Sequence, residues 1–488
     1  MGVRLNVRNF HIMLLVTVAV CLCLGDWHVY SHDASGILQR ILYGALTPDF
    51  SGTEHLAQAI TNTLAFALLG VMGAWLIGFL LALVYHRRAV RILCASVRGV
   101  HELFWALIFL QIFGLHPLTG LLAILIPYSG ICARVYAELL EETSATPERN
   151  LLSADRFSRF VWARVTQAWP HVRAYSGYRM ECGLRSSAVL GFIGLPTLGF
   201  HLESAFKQGH YSQAFAVLYV FFVLIGTRHW WLRPRLLPFY VLAACVWLPA
   251  APAINTALLW RFISHDIWPQ ALLAGNLTDA LAWVWRIAIN EGMPGIGNTL
   301  LLSWVALALT LLLGLLQYPW VSRHFVHSRG RWLGHALLVV LRSTPEYVLA
   351  YIGLIWLGPS MLPAALALSV HNGAIIAFLT GKASNTLALR ADTPGGINRY
   401  FWVVLPRMYR TLLAFTLYRF EIILRESAIL GILGIHTLGF YIDSAFEDIR
   451  FDKALLLIAL TAWLNIAAEI LARQIRSSLT LKTTPETI

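Results

Sequence analysis

The chain has 488 residues, of which 58% are hydrophobic and 13% are charged. Soluble globular proteins carry about 25% charged residues, so this composition excludes an ordinary soluble protein and a disordered one. The formal net charge is +12, but the arginines lie in short segments between apolar runs. That distribution is typical of membrane topology signals and argues against a nucleic-acid partner. We therefore predict an all-α polytopic membrane protein whose surroundings are a lipid bilayer.

Apolar runs of about 20 residues are long enough to cross a bilayer as helices. Arginine-rich segments alternate with arginine-poor ones between these runs, which predicts that both chain termini are cytoplasmic. The first run could be a signal peptide, but we favour an uncleaved span because no small-x-small cleavage site follows clearly. In chain order we predict twelve spans, at 10–26, 62–84, 101–114, 117–137, 174–198, 212–227, 236–252, 297–318, 334–357, 361–381, 411–435 and 454–472.

An internal repeat is the most informative feature of the sequence. Residues 181–210 and 421–450 align without a gap at an offset of 240, and 15 of the 30 positions are identical. The chain is therefore predicted to be two tandem six-span units, residues 1–233 and 234–488. Since six is even, both units would enter the membrane in the same orientation, related by a pseudo-two-fold axis along the membrane normal. Such an axis predicts one shared pathway.

Charged residues inside the predicted spans recur in both repeats, although each costs about 2.5–3.5 kcal/mol on insertion scales. They form four pairs spaced i,i+4, so each pair can neutralise itself on one helix face. A purely structural role is one reading of these pairs. The other is that they line the pathway, where guanidinium groups suit phosphate-like oxyanions and nearby hydroxyls add donors. The candidate pathway residues are Arg185, Arg425, Ser187, Ser427, Glu181, Glu421, Arg98, Arg342, Glu102 and Glu346.

Glycines cluster just after these charges in both repeats. Small residues allow membrane helices to approach closely, and dense glycines also suit a broken or re-entrant segment beside a water-filled path. We predict that the cluster serves either as a gate or as a helix-packing site. Its members are Gly191, Gly194, Gly199, Gly431, Gly434 and Gly439.

Two cytoplasmic loops, Glu138–Arg173 and Lys382–Arg410, carry matching polar patterns. Each contains an Ala-Asp pair followed by an Arg-aromatic-x-Trp run. A short amphipathic helix here could dock on a soluble partner, or it could lie in the membrane interface, where Arg and Trp are common. The residues of interest are Asp155, Arg159, Trp162, Asp392, Arg399 and Trp402.

Several kinds of chemistry lack a sequence signature. The sequence has no G-x-x-x-x-G-K-[ST] phosphate-binding loop and no H-E-x-x-H motif, and its histidines are dispersed. We therefore predict no catalytic residues, no metal ligands and no cofactor bound by this chain. A membrane-embedded enzyme is disfavoured because no nucleophile–base or metal constellation is apparent.

The duplicated block at Leu184–Gly194 and Leu424–Gly434 resembles the permease subunit of bacterial phosphonate- and phosphite-type ABC importers. The segments Thr47–Phe50, Arg342–Glu346 and Leu417–Glu421 are similar to the same family, as are Arg98 and Glu102. The resemblance covers nearly the whole chain twice, as a tandem fusion of two permease units.

This resemblance implies a binding-protein-dependent importer in the bacterial inner membrane. A periplasmic protein would deliver phosphonate, phosphite or a related oxyanion, and two copies of a separate ATPase would bind ATP and Mg²⁺. The loops at about 143–165 and 384–406 would couple to the ATPases. The alternative is a secondary transporter or channel for an anion that works without an ATPase.

Overall fold

The structure is a computed structural model that describes residues 7–52, 55–144, 146–147 and 155–479. It is 82% helical, and the described ranges contain no β-strand. The predicted all-α fold class is confirmed.

The first repeat of the sequence forms a series of helices joined by short turns. A π-helical turn at Phe160–Val165 leads into the long helix Thr166–Val189, and a 3₁₀ turn at Leu190–Ile193 extends that helix. The helices are α1 (Val7–Leu24), α2 (Ala34–Leu46), α3 (Leu56–Leu83), α4 (Arg88–Gly99), α5 (Glu102–Phe113), α6 (Pro117–Glu141), α7 (Arg156–Arg159), α8 (Thr166–Val189), α9 (Leu198–Lys207), α10 (Tyr211–Gly226) and α11 (Arg228–Trp231).

The second repeat follows the same plan after a 3₁₀ turn at Pro234–Leu236. It places a π-helical turn at Arg399–Val404 and a 3₁₀ turn at Leu430–Leu433, matching those of the first repeat. Its helices are α12 (Leu237–Trp247), α13 (Thr256–Arg261), α14 (Gln270–Leu273), α15 (Leu277–Ile287), α16 (Met293–Gln317), α17 (Ser328–Ser343), α18 (Glu346–Leu357), α19 (Met361–Ser384), α20 (Gly396–Asn398), α21 (Leu405–Ile429), α22 (Leu438–Glu447) and α23 (Phe451–Ser478).

The apolar helices of the described residues supply five candidate spans, or up to nine if each bent pair forms one span, so the number of twelve stays a prediction. Within the described residues, five stretches are each long and apolar enough to cross a bilayer: Leu56–Leu83, Pro117–Glu141, Leu277–Val321, Met361–Ser384 and Phe451–Ser478. Four bent helix pairs and three shorter apolar helices supply the other segments, so each of the twelve predicted spans overlaps one of them. Large apolar side chains such as Leu76 and Leu80 remain exposed along these helices, as expected of lipid-facing positions.

Two pairs of consecutive helices meet at a sharp bend. α4 and α5 meet at 89°, and α17 and α18 meet at 86°. The prediction of one continuous span at 334–357 is therefore wrong. The residue before Pro345 is Thr344, which is extended because a following proline disfavours helical geometry. Ser343 ends α17 and a new helix starts at Glu346.

The described chain divides into two compact units, and the boundaries of these units differ from those of the two sequence repeats. One, here called the central unit, is Tyr43–Trp260; the other, here called the split unit, combines residues 7–42 with 261–479. The first helix of the chain thus belongs with the second repeat, and the first helix of the second repeat belongs with the first. The sequence division into 1–233 and 234–488 stays a prediction about the repeat.

Packing explains how α1 joins the split unit. Phe10 and Leu14 are buried in a cluster with Tyr318 and Leu412, and His11 hydrogen-bonds the hydroxyl of Tyr409. Downstream, the backbone N–H of Tyr30 donates to the carbonyl of Leu357 at 2.9 Å. The first helix is part of a hydrophobic core, as is α12, which packs against α3 in the central unit.

A helical segment that was not predicted precedes the long span of the second repeat. We placed that span at 297–318, but α15 begins at Leu277 and continues through a π-helical turn into α16. The side chain of Asn276 accepts a hydrogen bond from the N–H of Asp279 at 3.2 Å, an N-cap contact. Asn276 followed three residues later by an acidic residue was the local signal for this start.

Candidate functional site

Besides the sharp bend, each repeat carries a long helix that breaks at a glycine and resumes in a new direction. In the central unit α8 runs to Gly194 and α9 follows at a bend of 55°; in the split unit α21 runs to Gly434 and α22 follows at 45°. Gly194 and Gly434 have φ angles of 86° and 87°, a left-handed conformation that glycine adopts without steric cost. The glycine cluster therefore corresponds to a broken helix in both repeats.

Close approach across the bend explains the remaining glycines. A Cβ at Gly191 would lie 2.1 Å from the backbone nitrogen of Phe200, and one at Gly199 would lie 1.7 Å from the carbonyl oxygen of Ala188. In the second repeat, a Cβ at Gly431 would lie 2.1 Å from the nitrogen of Phe440 and 2.5 Å from the carbonyl carbon of Gly439. The turn requires one residue with a left-handed backbone conformation. It also brings the backbone on its two sides so close that neither side can carry a Cβ at these positions.

An Asn-Thr pair on the preceding long helix holds each bend in place. In the central unit Asn62 donates to the carbonyl of Pro196 at 2.8 Å, and the hydroxyl oxygen of Thr63 accepts from the N–H of Leu198 at 2.9 Å. The split unit repeats these contacts: Asn298 donates to His436 at 2.8 Å, and Thr299 accepts from Leu438 at 3.0 Å. Each threonine thereby satisfies one free N–H at the start of α9 or α22. We call these pairs the Asn-Thr clamps.

Removing one clamp hydroxyl is expected to destabilise the protein. Thr299→Val would leave the buried N–H of Leu438 without its acceptor, at a cost of about 1–3 kcal/mol. The measurement is thermal unfolding of the purified protein in detergent. Thr310→Val is the control in the same helix, because the Thr310 hydroxyl is buried without a hydrogen-bond partner among the described residues. Equal losses in the two variants would contradict the clamp.

The two candidate anion-binding arginines lie shortly before the bends. Arg185 and Arg425 are both half-buried, and an Nη of Arg185 lies 3.5 Å from the sulfur of Cys182. Ser187 and Ser427 are fully buried, and each hydroxyl donates to the carbonyl three residues earlier at 2.7 Å. The serines are engaged within their own helices, whereas both arginines keep part of their surface exposed. Their role toward an anion stays a prediction.

Glu181 forms a buried ion pair that the i,i+4 pattern did not predict. Its Oε2 lies 2.6 Å from an Nη of Arg228, and the Glu181 side chain is 7% exposed. Arg228 also donates to the carbonyl of Gly177 at 3.2 Å. Arg228 lies outside the duplicated block, so the sequence gave no signal for this contact. The pair ties α11 to α8. The related Glu421 is half-buried in α21.

Loss of the arginine from this pair is expected to destabilise the central unit. Arg228→Met would remove the cation at 2.6 Å from a buried carboxylate, and breaking buried pairs in this way costs about 3 kcal/mol or more. Detergent unfolding curves provide the measurement. Arg390→Met is the matched control, because its pair with Asp392 is 82% and 69% exposed and worth about 0–1 kcal/mol. Similar stabilities for the two variants would be evidence against the pair's importance.

The remaining charged pairs lie across the sharp bends and not on one helix, as their spacing suggested. Arg98 ends α4 while Glu102 starts α5, and Arg342 and Glu346 lie on α17 and α18 in the same way. All but Arg342, which is half-buried, are buried. The shared-face interpretation of these two pairs is therefore wrong, because a break replaces the helical turn between their members.

In the central unit Glu102 accepts hydrogen bonds within a small buried network. The hydroxyl of Ser186 donates to its Oε1 at 2.6 Å, and the hydroxyl of Tyr128 lies 2.8 Å from that of Ser186. An imidazole nitrogen of His101 lies 3.6 Å from Oε2. The network joins α5, α6 and α8 around a single carboxylate.

In the split unit the same place holds two carboxylates and an imidazole. Glu346, His371 and Glu426 are all buried, and one ligand atom from each lies within 4.8 Å of the others. The Nδ2 of Asn372 donates to Oε2 of Glu426 at 2.9 Å. The sequence analysis did not group these residues, because they come from three different helices. In the duplicated block, Ser186 of the first repeat aligns with Glu426 of the second. This difference between the repeats was a sequence signal for Glu426.

The candidate coupling loops expose aromatic side chains. Part of the first loop lies outside the described residues, but from Asp155 onward both loops lead into a π-helical turn that carries an exposed tryptophan. Trp162 is 71% exposed and Trp402 is 79% exposed. A hydrogen bond from Ser158 lowers the pKa of the Asp155 carboxyl, which also accepts from the N–H of Phe157 at 3.0 Å. Arg159 is half-buried.

In the second loop the matching pattern makes different contacts. Arg399 donates to the carbonyls of Pro394 and His324, both at 2.9 Å. Asp392 accepts from Arg390 at 3.1 Å on the surface. Arg399 therefore shapes the loop, while Trp402 is the side chain left available to a partner or a membrane surface.

Comparisons with known proteins were made over the whole chain. No protein-family model matches it and no solved structure matches it. It is 26% identical over 485 residues to the phosphate-import permease protein PhnE of Mycolicibacterium smegmatis, covering 92% of this chain and 90% of that one. It is 27% identical over 219 residues to the phosphite transport system permease protein PtxC of Stutzerimonas stutzeri, covering 41% of this chain and 80% of that one.

These similarities, with the apolar helices, define the class: the chain is a multi-pass membrane transport permease. It is similar over nearly its whole length to the phosphonate- and phosphite-type permease proteins. Since less than half of this chain spans most of PtxC, the chain is a tandem fusion of two such units. The recognition made from the duplicated block is confirmed.

Proposed function

We propose that this chain is the permease subunit of an ATP-driven importer for a phosphorus oxyanion such as phosphonate, phosphite or phosphate. The observation that carries the proposal is the similarity to a phosphate-import permease protein over 92% of the chain. A relative of half the length is a phosphite transport system permease protein, which supports the same substrate class. The anion would pass from a periplasmic binding protein to the cytoplasm by alternating access.

The partners follow from what this chain lacks and what it exposes. Its sequence has no phosphate-binding loop, so ATP and Mg²⁺ would be bound by a separate ATPase, in two copies for two coupling loops. Exposed Trp162 and Trp402, one in each loop, supply apolar anchors of the kind enriched at protein interfaces. This assignment places the chain in the bacterial inner membrane with both termini in the cytoplasm.

Uptake by the assembled system tests the proposal. The chain would be expressed with its ATPase and binding protein in a host without phosphorus-anion importers, and uptake of phosphate, phosphite and methylphosphonate would be measured. Energised uptake of at least one anion that requires all three components is the expected result. Uptake of none of the three would exclude the substrate class.

The alternative, a secondary transporter or channel, predicts a different result with the same protein. Purified chain alone in liposomes would then move phosphate or phosphite along an ion or substrate gradient. The importer proposal predicts no such flux and no ATP hydrolysis by the chain alone. Tags near residues 160 and 400 should also emerge on the same side of the membrane; emergence on opposite sides would contradict the parallel-repeat topology.

Truncation of the exposed tryptophans is expected to weaken ATPase binding. Trp162→Ala and Trp402→Ala together should lower the amount of ATPase that co-purifies by about tenfold or more, since interface tryptophans commonly contribute about 2 kcal/mol. Co-purification from membranes is the measurement. Trp463→Ala is the control, because Trp463 is similarly exposed but lies within a candidate membrane span. Undiminished ATPase binding would favour loops that lie in the membrane interface.

A further inference from the structure

The buried cluster in the split unit has the composition of a metal site. Glu346, His371 and Glu426 each place one ligand atom within 4.8 Å of the other two, and all three residues are buried. Ligands of one ion at about 2.0–2.2 Å lie about 3–4 Å apart, so small side-chain rotations are sufficient to close the set. Two carboxylates and one imidazole are donors that borderline divalent cations such as Zn²⁺ accept.

The outer contacts orient these ligands. Nδ1 of His371 lies 2.9 Å from the carbonyl oxygen of Thr344. Because a carbonyl can only accept, Nδ1 carries a proton, and Nε2 is the ring atom that would bind a metal. An imidazole held by a carbonyl in this way is the usual arrangement around protein-bound metals. Glu426 is positioned by the Nδ2 of Asn372 at 2.9 Å.

A second observation points to a missing ligand at the same place. Asn372 is fully buried, and its side-chain oxygen Oδ1 has no hydrogen-bond partner among the described residues. Its Nδ2, in contrast, donates both to Glu426 and to the carbonyl of Leu368. A buried carbonyl-type oxygen is costly without a partner, and a cation or a cation-bound water would satisfy it.

The first repeat supplies an internal comparison. Glu102 matches Glu346, and Ser186 matches Glu426 in the gapless alignment. Pro127 and His371 occupy the same position counted from the starts of α6 and α19. The central unit thus keeps one carboxylate, which accepts a hydrogen bond from Ser186 and lies 3.6 Å from the imidazole of His101. It has neither the second acid nor a histidine at the position of His371. The metal-ligand set is a property of one repeat and not of the shared fold.

We propose that the split unit binds one divalent transition-metal cation, with Zn²⁺ as the probe, through Glu346, Nε2 of His371 and Glu426. The ion would join α18, α19 and α21, the three helices that carry its ligands. It therefore stabilises one repeat specifically. This inference is independent of the substrate that the permease carries, and it replaces the sequence-based prediction of no metal ligands.

Metal binding to the full-length chain in detergent tests the proposal. The protein would be stripped with EDTA, dialysed against Zn²⁺ and analysed for bound metal and for Tm. We expect about one Zn²⁺ per chain beyond nonspecific binding and a rise in Tm. His371→Ala and Glu426→Ser, the latter introducing the first repeat's residue, should each weaken Zn²⁺ binding about tenfold or more. Ser186→Ala, in the other repeat, should bind Zn²⁺ as the wild type does.

Each outcome supports or overturns the proposed metal site. Equal Zn²⁺ binding by folded His371→Ala, Glu426→Ser and wild-type chains would overturn the site. If both variants fail to fold, the wild-type protein still decides: no Zn²⁺-dependent change in Tm and no bound metal above that of Mg²⁺-treated protein would refute it. Substituting Co²⁺ should give a visible absorption band in the wild type that is absent from Glu426→Ser.

Discussion

Gly191→Ala is expected to prevent the central unit from folding stably. The new Cβ would lie 2.1 Å from the backbone nitrogen of Phe200 and 2.3 Å from the carbonyl carbon of Gly199. Both are backbone atoms fixed by the bend, so relief requires α9 to move away from α8. Such a displacement would also remove the Thr63 hydrogen bond to Leu198. We expect a loss above about 4 kcal/mol, the range of strained or overpacked core sites, seen as loss of monodisperse protein in detergent.

The control for this prediction lies in the preceding helix. A Cβ at Gly177 meets no atom within 4 Å, so Gly177→Ala should be neutral or stabilising by about 0.5–1 kcal/mol, the ordinary gain of alanine over glycine in a helix. Monodisperse Gly191→Ala protein with wild-type stability would show that the bend can open without cost. Gly431→Ala should behave as Gly191→Ala does, because its Cβ would lie equally close to Phe440.

Much of the architecture could be predicted because hydropathy and the internal repeat can be recognised in short segments of the sequence. A span of 20 apolar residues is visible in any window, and the offset of 240 identified the paired bends before their geometry was known. The sharp break at Thr344–Pro345 was also encoded locally, through the proline, yet apolar residues on both sides concealed it. α15 was not predicted for a similar reason. Hydropathy alone did not show whether its exposed apolar residues, such as Leu281 and Trp285, belong to the following span or precede it.

Other features depended on contacts that no spacing encodes. Glu181 pairs with Arg228 from outside the duplicated block, and α1 packs its Phe10 into the core of the second repeat. The i,i+4 spacing of Arg342 and Glu346 suggested one helix face because it assumed a continuous helix. The cluster of Glu346, His371 and Glu426 needs three helices to converge, so only the fold reveals it.

The Asn-Thr clamps show what repetition adds to a candidate site. Asn62-Thr63 and Asn298-Thr299 are the same pair of residues at the start of a long helix in each repeat, and the structure gives both pairs the same role at the bends. A bend that is clamped at both ends of its turn is a rigid element. The half-buried arginines that precede it are therefore carried on helices whose ends are fixed, which is a suitable support for binding an ion at a defined position.

Loss of both arginines is expected to have the largest effect on transport. Arg185 and Arg425 are half-buried at matching positions before the two bends, and guanidinium groups bind phosphate-like oxyanions through paired hydrogen bonds. Losing a charged partner in a partly desolvated site costs about 2–5 kcal/mol, and 3 kcal/mol corresponds to a factor of about 100. The Arg185→Ala/Arg425→Ala double variant should therefore reduce anion uptake by about 100-fold, measured in membranes that contain equal amounts of the complex.

The single variants and the lysine replacements distinguish anion binding from a structural ion pair. Arg185→Lys keeps the positive charge but loses the planar fork, so it should recover stability and insertion more fully than uptake. If the arginines serve packing alone, lysine would restore uptake and stability in parallel. Wild-type uptake in both alanine variants and in the double variant would remove Arg185 and Arg425 from the pathway, and the clamped bends would then be scaffolding for a route lined by other residues.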